Sequence, residues 1–362
     1  MPQSEISISE LRKWTCDKKT LLVCDKFIDD QQIKELLDWN RIVRFSDYVS
    51  NPTYESVVAG VNIFHKHACN AVVAIGGGST IDVAKCIKLF SNMGVDAKYL
   101  EQEIVANNVP FLAIPTTAGT GSEATRYAVI YHNGEKQSIT HISCIPDVVI
   151  FEASFLHDLP IYQKKATMLD ALCHAIESYW SVHSTHESKG YSREAISLIL
   201  KYMDGYLGNE RSSESKMLKA ANIAGKAINI TQTTAGHAMC YKLTGLYGIA
   251  HGHAAALCVA KLWPYMISHI EQCVDVRGQN YLCSLFTELS DIMGTRSADE
   301  AAEKFQELID GLELEAPIAR EKDINVLKGS VNPIRLKNNP IKLEGSDIES
   351  LYCQILKGEK EQ

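Results

Sequence analysis

Over the first 150 or so residues, short apolar runs alternate with stretches of helical periodicity. The runs are KTLLVCD (19–25), IVRF (42–45), AVVAI (71–75), VPFLAI (109–114) and VVIF (148–151). Each is too short for a buried helix, and apart from Arg44 in IVRF their interiors hold no charged position, the pattern of strands covered on both faces. Between them, Gln31–Leu37, Tyr54–His65 and Ile81–Phe90 carry apolar residues at helical spacing. This alternation predicts βαβ units and a mainly parallel sheet. Residues 127–143 break the rhythm: YAVIY, then Asn133-Gly134, then QSITHIS predict an antiparallel hairpin with Asn-Gly in its turn. From about residue 155 the strand signals vanish and long helical patterns take over, as in Tyr191–Met203, Lys216–Ala227 and Asp299–Ile309. The expected fold class is α/β, with a mainly parallel domain over 1–154 and an all-helical domain over 155–362.

Size and composition fit this division. A chain of 362 residues with 46% hydrophobic and 22% charged residues can build two cores of ordinary soluble type. A net charge of −8 argues against nucleic-acid or anionic-membrane partners, which require concentrated Lys and Arg. No apolar run reaches membrane-spanning length, and the first residues, MPQSEISISELRKW, hold no apolar segment of signal-peptide type. The 11 cysteines are odd in number, form no Cys-x-x-Cys pair and mostly lie in apolar runs. They read as small buried hydrophobes of a reducing compartment, so the expected location is the cytoplasm.

Two loops carry candidate chemistry. Gly76, Gly77 and Gly78 follow a strand directly, and Ser79 and Asp82 have capping-box spacing at the start of a helix. Glycines let the backbone approach a bulky anion, and a helix N-terminus offers unpaired N–H groups to a pyrophosphate. The loop Thr116-Thr117-Ala118-Gly119-Thr120-Gly121-Ser122 also follows a strand, with hydroxyls suited to ribose and phosphate. Both lie at carboxyl ends of parallel strands, where open α/β sheets bind ligands. Asp25 ends the first strand, placed to accept from an adenosine ribose and to repel a 2′-phosphate; it reads equally as a turn residue.

In MLDALCHAIESYW (168–180), Asp170 and His174 stand four apart, one turn above each other on a helix. Such a pair can close on one metal ion, or can belong to a solvated helix face. His237 and His251 lie in glycine-punctuated apolar surroundings, TTAGHAMCYKL and GIAHGHAAALCVA. With Asp170 and His174 they make a three-histidine, one-carboxylate set suited to Fe²⁺ or Zn²⁺.

The stretches NPTYESV (51–57), AIGGGSTIDVAK (74–85), AIPTTAGTGSEATRYAVI (113–130), PDVVI (146–150) and DALCHAIESYWS (170–181) occur in order along the chain. With His237 and His251 they make the chain resemble the iron-containing alcohol dehydrogenase family along nearly its whole length. The resemblance implies a dehydroquinate synthase-like architecture, a dinucleotide-binding N-terminal domain and a helical metal-binding C-terminal domain. It carries Fe²⁺ (or Zn²⁺) ligation onto Asp170, His174, His237 and His251. It carries NAD(H) contacts, with NADP(H) as the alternative, onto Asp25, Asn51, Gly76, Gly77, Gly78, Ser79, Asp82, Thr116, Thr117, Thr120, Ser122 and Lys136. It also implies a homodimer or larger homo-oligomer acting on a small-molecule aldehyde or alcohol.

Two departures stand out. Where many family members carry a histidine four residues after the third ligand, this chain has Tyr241, a candidate proton relay or a residue that simply closes the pocket. The proline usual before the fourth ligand is Ala250. The stretches 225–248 and 330–343 resemble the branch that reduces phosphonoacetaldehyde to 2-hydroxyethylphosphonate, with Arg335 and Lys337 as candidates for an anionic tail. The alternatives are sulfoacetaldehyde reduction, general short-chain alcohol oxidation, and a lyase of the dehydroquinate synthase type.

Overall fold

The computed structural model describes residues 3–94, 98–320 and 322–357, and the chain divides into two compact units, Met1–Asp158 and Leu159–Gln362. The first unit runs β1 (Ser4–Glu5), α1 (Leu11–Thr15), β2 (Thr20–Cys24), α2 (Asp30–Leu36), β3 (Ile42–Phe45), α3 (Tyr54–Lys66), β4 (Ala71–Gly76), α4 (Gly78–Phe90), β5 (Phe111–Pro115), β6 (Tyr127–His132), β7 (Glu135–Thr140), β8 (Val148–Val149) and α5 (Ser154–His157). Six strands form one parallel sheet in the order β1-β8-β5-β4-β2-β3. Because side chains alternate along a strand, Leu21, Val23, Val72, Ala74 and Phe111 feed one core, while Leu22, Cys24, Val73, Ile75 and Leu112 feed the other. That two-sided burial is why the strands read as unbroken apolar runs.

Chain direction across the sheet fixes where a ligand fits. From β2 the chain steps outward to β3, then jumps back over β2 to β4, so the order reverses between β2 and β4. The carboxyl ends of those two strands flank the switch point at which open α/β sheets leave a crevice. The expected hairpin is β6–β7, with Asn133 at φ 53° and Gly134 at φ 78°, the positive pair that a twisted two-residue turn needs. β1 escaped the sequence reading: it is two exposed residues paired to β8, with no apolar signal. The expected capping box at Ser79 is also absent. The N-cap of α4 is Gly77, two residues earlier, and the carboxylate of Asp82 is bound elsewhere.

The second unit continues with α6 (Ile161–Trp180), α7 (His186–Leu207), α8 (Arg211–Thr231), α9 (Ala235–Tyr247), α10 (His251–Ser268), α11 (Gln279–Met293), α12 (Ala298–Gly311), α13 (Asp323–Ser330), α14 (Pro333–Leu336) and α15 (Gly345–Ile355). Among its described residues there is no strand beyond isolated bridges. α6 is the hub, packed against α7, α8, α10 and α11. Every residue from Met168 to Trp180 is buried, which removes the solvated-face alternative for Asp170 and His174. No helix among the described residues is long and apolar enough to cross a membrane. All 11 cysteines are free, and seven of them are buried.

Two ionic clamps fix α6 in this bundle. Near its start, Lys164 Nζ donates to Glu214 Oε1 at 2.9 Å with both side chains almost wholly buried. Past its end, the guanidinium of Arg277 donates to the carbonyls of Ser181 (2.9 Å) and Ser184 (2.7 Å), with Asp275 paired behind it. Breaking a buried pair leaves a charge without its counter-ion, which costs about 3–5 kcal/mol. Lys164→Met is therefore expected to lower unfolding free energy by that order in urea titration, and Lys164→Met with Glu214→Leu to recover most of the loss. Equal stabilities for the single variant and the parent would show that the pair does not hold α6.

Candidate functional site

In the second unit the four expected residues come together. Asp170 Oδ1 has three imidazole Nε2 atoms around it: His237 at 3.4 Å, His251 at 3.8 Å and His174 at 3.9 Å. Asp170, His174 and His237 are buried and offer one donor atom each, all within 4.8 Å of one another. His251 reaches the same carboxylate oxygen from a more exposed position. The rings of His174 and His237 stack at 4.5 Å, and Nε2 of each lies toward Asp170 Oδ1.

This arrangement needs three helices at unusually close range, and small residues allow it. A Cβ on Gly252, the second residue of α10, would stand 2.0 Å from the carbonyl oxygen of Ala166 and 2.6 Å from Cβ of Asp170. No side chain can fit there, so the bare backbone lets His251 lie against the Asp170 turn of α6. On α9, a Cβ at Gly236 would meet Val259 at 2.6 Å and the Glu177 carboxylate at 3.1 Å. Both glycines are immediate neighbours of a histidine in the set.

Glu177 was not among the residues expected from the sequence. It lies on α6 seven residues after Asp170 and is fully buried. Its carboxylate pairs with Nδ1 of His237 and accepts from the backbone N–H of Thr234 (3.1 Å), the Thr234 hydroxyl (2.6 Å) and the His237 N–H (3.3 Å). The signal that could have found it is a charged residue on the face of Asp170 and His174 within an otherwise apolar helix. By holding Nδ1, Glu177 leaves Nε2 of His237 to face Asp170.

The electrostatics follow from this crowding. Burial opposes the charge of His237, yet Glu177 and Asp170 raise its pKa to about 9. Burial likewise works against the Asp170 carboxylate, but the three imidazoles hold it well below its ordinary value. The spacing tests whether an ion would fit. Ligand atoms about 2.1 Å from a tetrahedral ion stand roughly 3.4 Å from each other. The three distances from Asp170 Oδ1 are close to that edge, and nitrogen and carboxylate donors of this kind suit Fe²⁺ or Zn²⁺.

Tyr241 lies beside the set, its ring stacked on His251 at 5.5 Å. Burial pushes its phenol well above the ordinary value, while the charge of Arg335 works in the opposite sense. Arg335 is half-buried on α14 and belongs to this neighbourhood; Lys337, at the end of that helix, is exposed.

In the first unit, the expected loop residues gather at the switch point. Asp25 follows β2 directly; its Oδ1 accepts from the hydroxyls of Thr80 (2.8 Å) and Tyr48 (3.4 Å). Burial raises its pKa and these hydrogen bonds oppose the rise. A Cβ at Gly76 would stand 2.3 Å from Thr80 Oγ1 and 2.7 Å from Asp25 Oδ2, so the turn after β4 closes only on glycine. Gly78 faces Thr120 at similarly short range, Thr117 lies beside Gly77, and Thr116 N–H donates to the carbonyl of Gly76. The two loops thus pack on each other at the N-terminus of α4, with Ser79 in its first turn.

Asp82 holds the second loop in place. Its carboxylate accepts from the Ser122 hydroxyl (2.6 Å) and the Val129 N–H (2.9 Å). The fully buried Lys85 donates to Ser122 Oγ (2.9 Å), Thr125 Oγ1 (3.1 Å) and the Tyr127 carbonyl (2.6 Å). Lys136 is exposed on β7, and its charge favours ionised Asp82. Asn51 is exposed at φ 59°, next to the Pro52–Thr53 segment that pairs with Tyr131 of the hairpin.

Comparison with known proteins agrees with both halves. The probable alcohol dehydrogenase EutG of Escherichia coli is 35% identical over 58% of this chain, and the match spans about half of that relative, 54% of its length. Phosphonoacetaldehyde reductase of Streptomyces viridochromogenes is 29% identical over 83% of this chain and 79% of its own. The solved structure of sulfoacetaldehyde reductase from Bifidobacterium kashiwanohense, in complex with NAD+, superposes with a TM-score of 0.87 at 25% identity, covering 98% of this chain and 96% of that one. The family description "iron-containing alcohol dehydrogenase" matches residues 4–153, and that of the Fe-containing alcohol dehydrogenase C-terminal region matches residues 164–356. The chain belongs to the iron-containing alcohol dehydrogenase family.

Proposed function

We propose that the chain reduces a small aldehyde with an anionic tail to the primary alcohol, using NAD(P)H and a divalent ion, with phosphonoacetaldehyde as the favoured substrate. The observation that carries this reading is the Asp170 carboxylate with three imidazoles at 3.4–3.9 Å, with the charge of Arg335 acting on Tyr241, whose ring stacks on His251. Asp170, His174, His237 and His251 would hold Fe²⁺ or Zn²⁺. When bound, such an ion supplies Lewis-acid polarisation of a carbonyl oxygen.

The chain's own residues supply the rest. Glu177 orients His237 through Nδ1 and keeps Nε2 as the donor nitrogen. Desolvation keeps the proton on the half-buried Tyr241, so it serves the site as a hydrogen-bond donor and a wall against water rather than as a base. Gly76–Ser79 at the start of α4 would take the pyrophosphate of the dinucleotide, and the Thr116–Ser122 loop its sugars. Asp25 would accept from an adenosine ribose and disfavour a 2′-phosphate, making NADH the preferred donor over NADPH. Asp82 and Lys85 act one step back, by fixing the Ser122 end of the second loop.

The substrate tail is read from Arg335 and from the resemblance to the phosphonoacetaldehyde and sulfoacetaldehyde reductases. A guanidinium fork matches phosphonate and sulfonate oxygens alike. Lys337, exposed on the same short helix, adds long-range attraction for an anion rather than a contact.

His251→Ala is expected to abolish turnover while leaving NADH binding, followed by fluorescence titration, close to that of the parent; full activity in a metal-stripped His251→Ala protein would sink the metal reading. Glu177→Gln is expected to weaken metal binding roughly 10–100-fold in chelator competition. An unchanged affinity would show that Glu177 does not orient the histidine. For substrate, steady-state kinetics with NADH on phosphonoacetaldehyde, sulfoacetaldehyde and butyraldehyde should rank the phosphonate first and butyraldehyde last. Butyraldehyde as the best substrate would remove the anionic-tail assignment.

A further inference from the structure

α8 ends at Thr231, and the next residue, Gln232, has φ 60° and ψ 177°. This combination is nearly confined to glycine, because an L side chain collides with its own backbone there. Glutamine gains nothing from such a conformation in itself, so the reason lies in what its side chain reaches. Gln232 Oε1 accepts from Arg335 Nη1 at 2.5 Å and from Asn338 Nδ2 at 3.3 Å. Asn338 is itself buried; its Nδ2 also donates to the carbonyl of Thr233 at 3.0 Å, and its carbonyl accepts from the Val182 N–H just past α6. The acceptor of the Arg335 guanidinium is therefore anchored to the backbone from two sides.

The same turn leads into α9, which carries His237 and Tyr241. One strained residue thus sets two things together: the entry of the histidine helix and the direction of the guanidinium that acts on Tyr241. The chemistry of the clamp is informative. A carboxylate at position 232 would orient Arg335 equally well but would cancel its charge and compete with an incoming anion. An amide carbonyl orients the fork without cancelling its charge.

We infer that Gln232 is a positioning residue for anion recognition, its strained backbone aiming an amide carbonyl that holds Arg335 toward the tail of the substrate. This rests on the anionic-tail reading and goes beyond it by assigning the selectivity to a residue that does not touch the aldehyde. Asn338 supports the same acceptor, so the unit is Gln232, Asn338 and Arg335 rather than a lone basic side chain.

The test uses the metal-loaded, full-length protein and two variants. Gln232→Gly accepts φ 60° without strain, so it keeps or raises the melting temperature while losing the clamp. Gln232→Glu keeps the acceptor and adds the opposing charge. In both, the ratio of kcat/KM for phosphonoacetaldehyde over butyraldehyde is expected to fall by roughly tenfold or more, carried by KM, because a charged hydrogen-bond geometry is lost. The inhibition constant of ethylphosphonate, which has the tail and no aldehyde, should rise in parallel. A ratio and an inhibition constant within about twofold of the parent in Gln232→Gly would overturn the inference. An equal loss for both aldehydes, with no change in ethylphosphonate inhibition, would also overturn it, by showing a merely structural role. If the parent itself shows no preference for the anionic aldehyde, the anionic-tail reading fails first, and the two failures are told apart.

Discussion

A carboxylate buried among three imidazoles is the constraint on which the helical unit depends. Asp170 lies on a helix that is covered on all sides over Met168–Trp180, where an ionised group is costly unless its charge is matched. The matching comes from His174, His237 and His251, brought from three helices to one oxygen atom. Much of the surrounding architecture serves that convergence. Gly252 removes the side chain that would keep α10 off α6, Glu177 ties α9 back to α6, and the Lys164 and Arg277 clamps hold α6 at both ends. The cost of burying two carboxylates is offset by charge and hydrogen bonding, and an ion in their midst would complete the balance.

The first unit solves a different problem by backbone means. The order in which its parallel strands are added reverses between β2 and β4, and the turn after β4 closes so tightly on Thr80 and Asp25 that only glycine fits at position 76. The second loop is then locked to the first by Thr120 against Gly78 and by the network of Asp82 with the buried Lys85 and Ser122. The N-terminus of α4 faces the crevice between these loops, and the surrounding side chains fix loop shape more than they supply charge.

Much of this was legible in the sequence, for identifiable reasons. Strands buried on both faces announce themselves as unbroken apolar runs, and the Asn133-Gly134 turn has few structural alternatives. The metal-type residues could be named because their residue types are rare in apolar surroundings and because the family resemblance joined sites far apart in the chain. Other features were hidden. β1 is two polar residues recruited by pairing with β8. The Ser79–Asp82 spacing looked like a helix cap, yet Asp82 is drawn to Ser122 and Val129 by tertiary contacts that no local pattern encodes. Glu177 passed as an ordinary helix residue because its partners, Thr234 and His237, lie nearly sixty residues away. The positive φ of Gln232 leaves no trace in the sequence, since glutamine is the last residue expected there.

Asp170, His174, His237 and His251 are proposed to form together one metal-binding set. Extended X-ray absorption fine structure on the protein reconstituted with one equivalent of Fe²⁺ or Zn²⁺ tests it most directly. The expected result is a single tightly held ion with only nitrogen and oxygen neighbours at about 2.1 Å, and multiple-scattering features from imidazole rings. A sulfur neighbour near 2.3 Å, drawn from Cys240 beside His251, or failure to retain any ion through gel filtration, would contradict it.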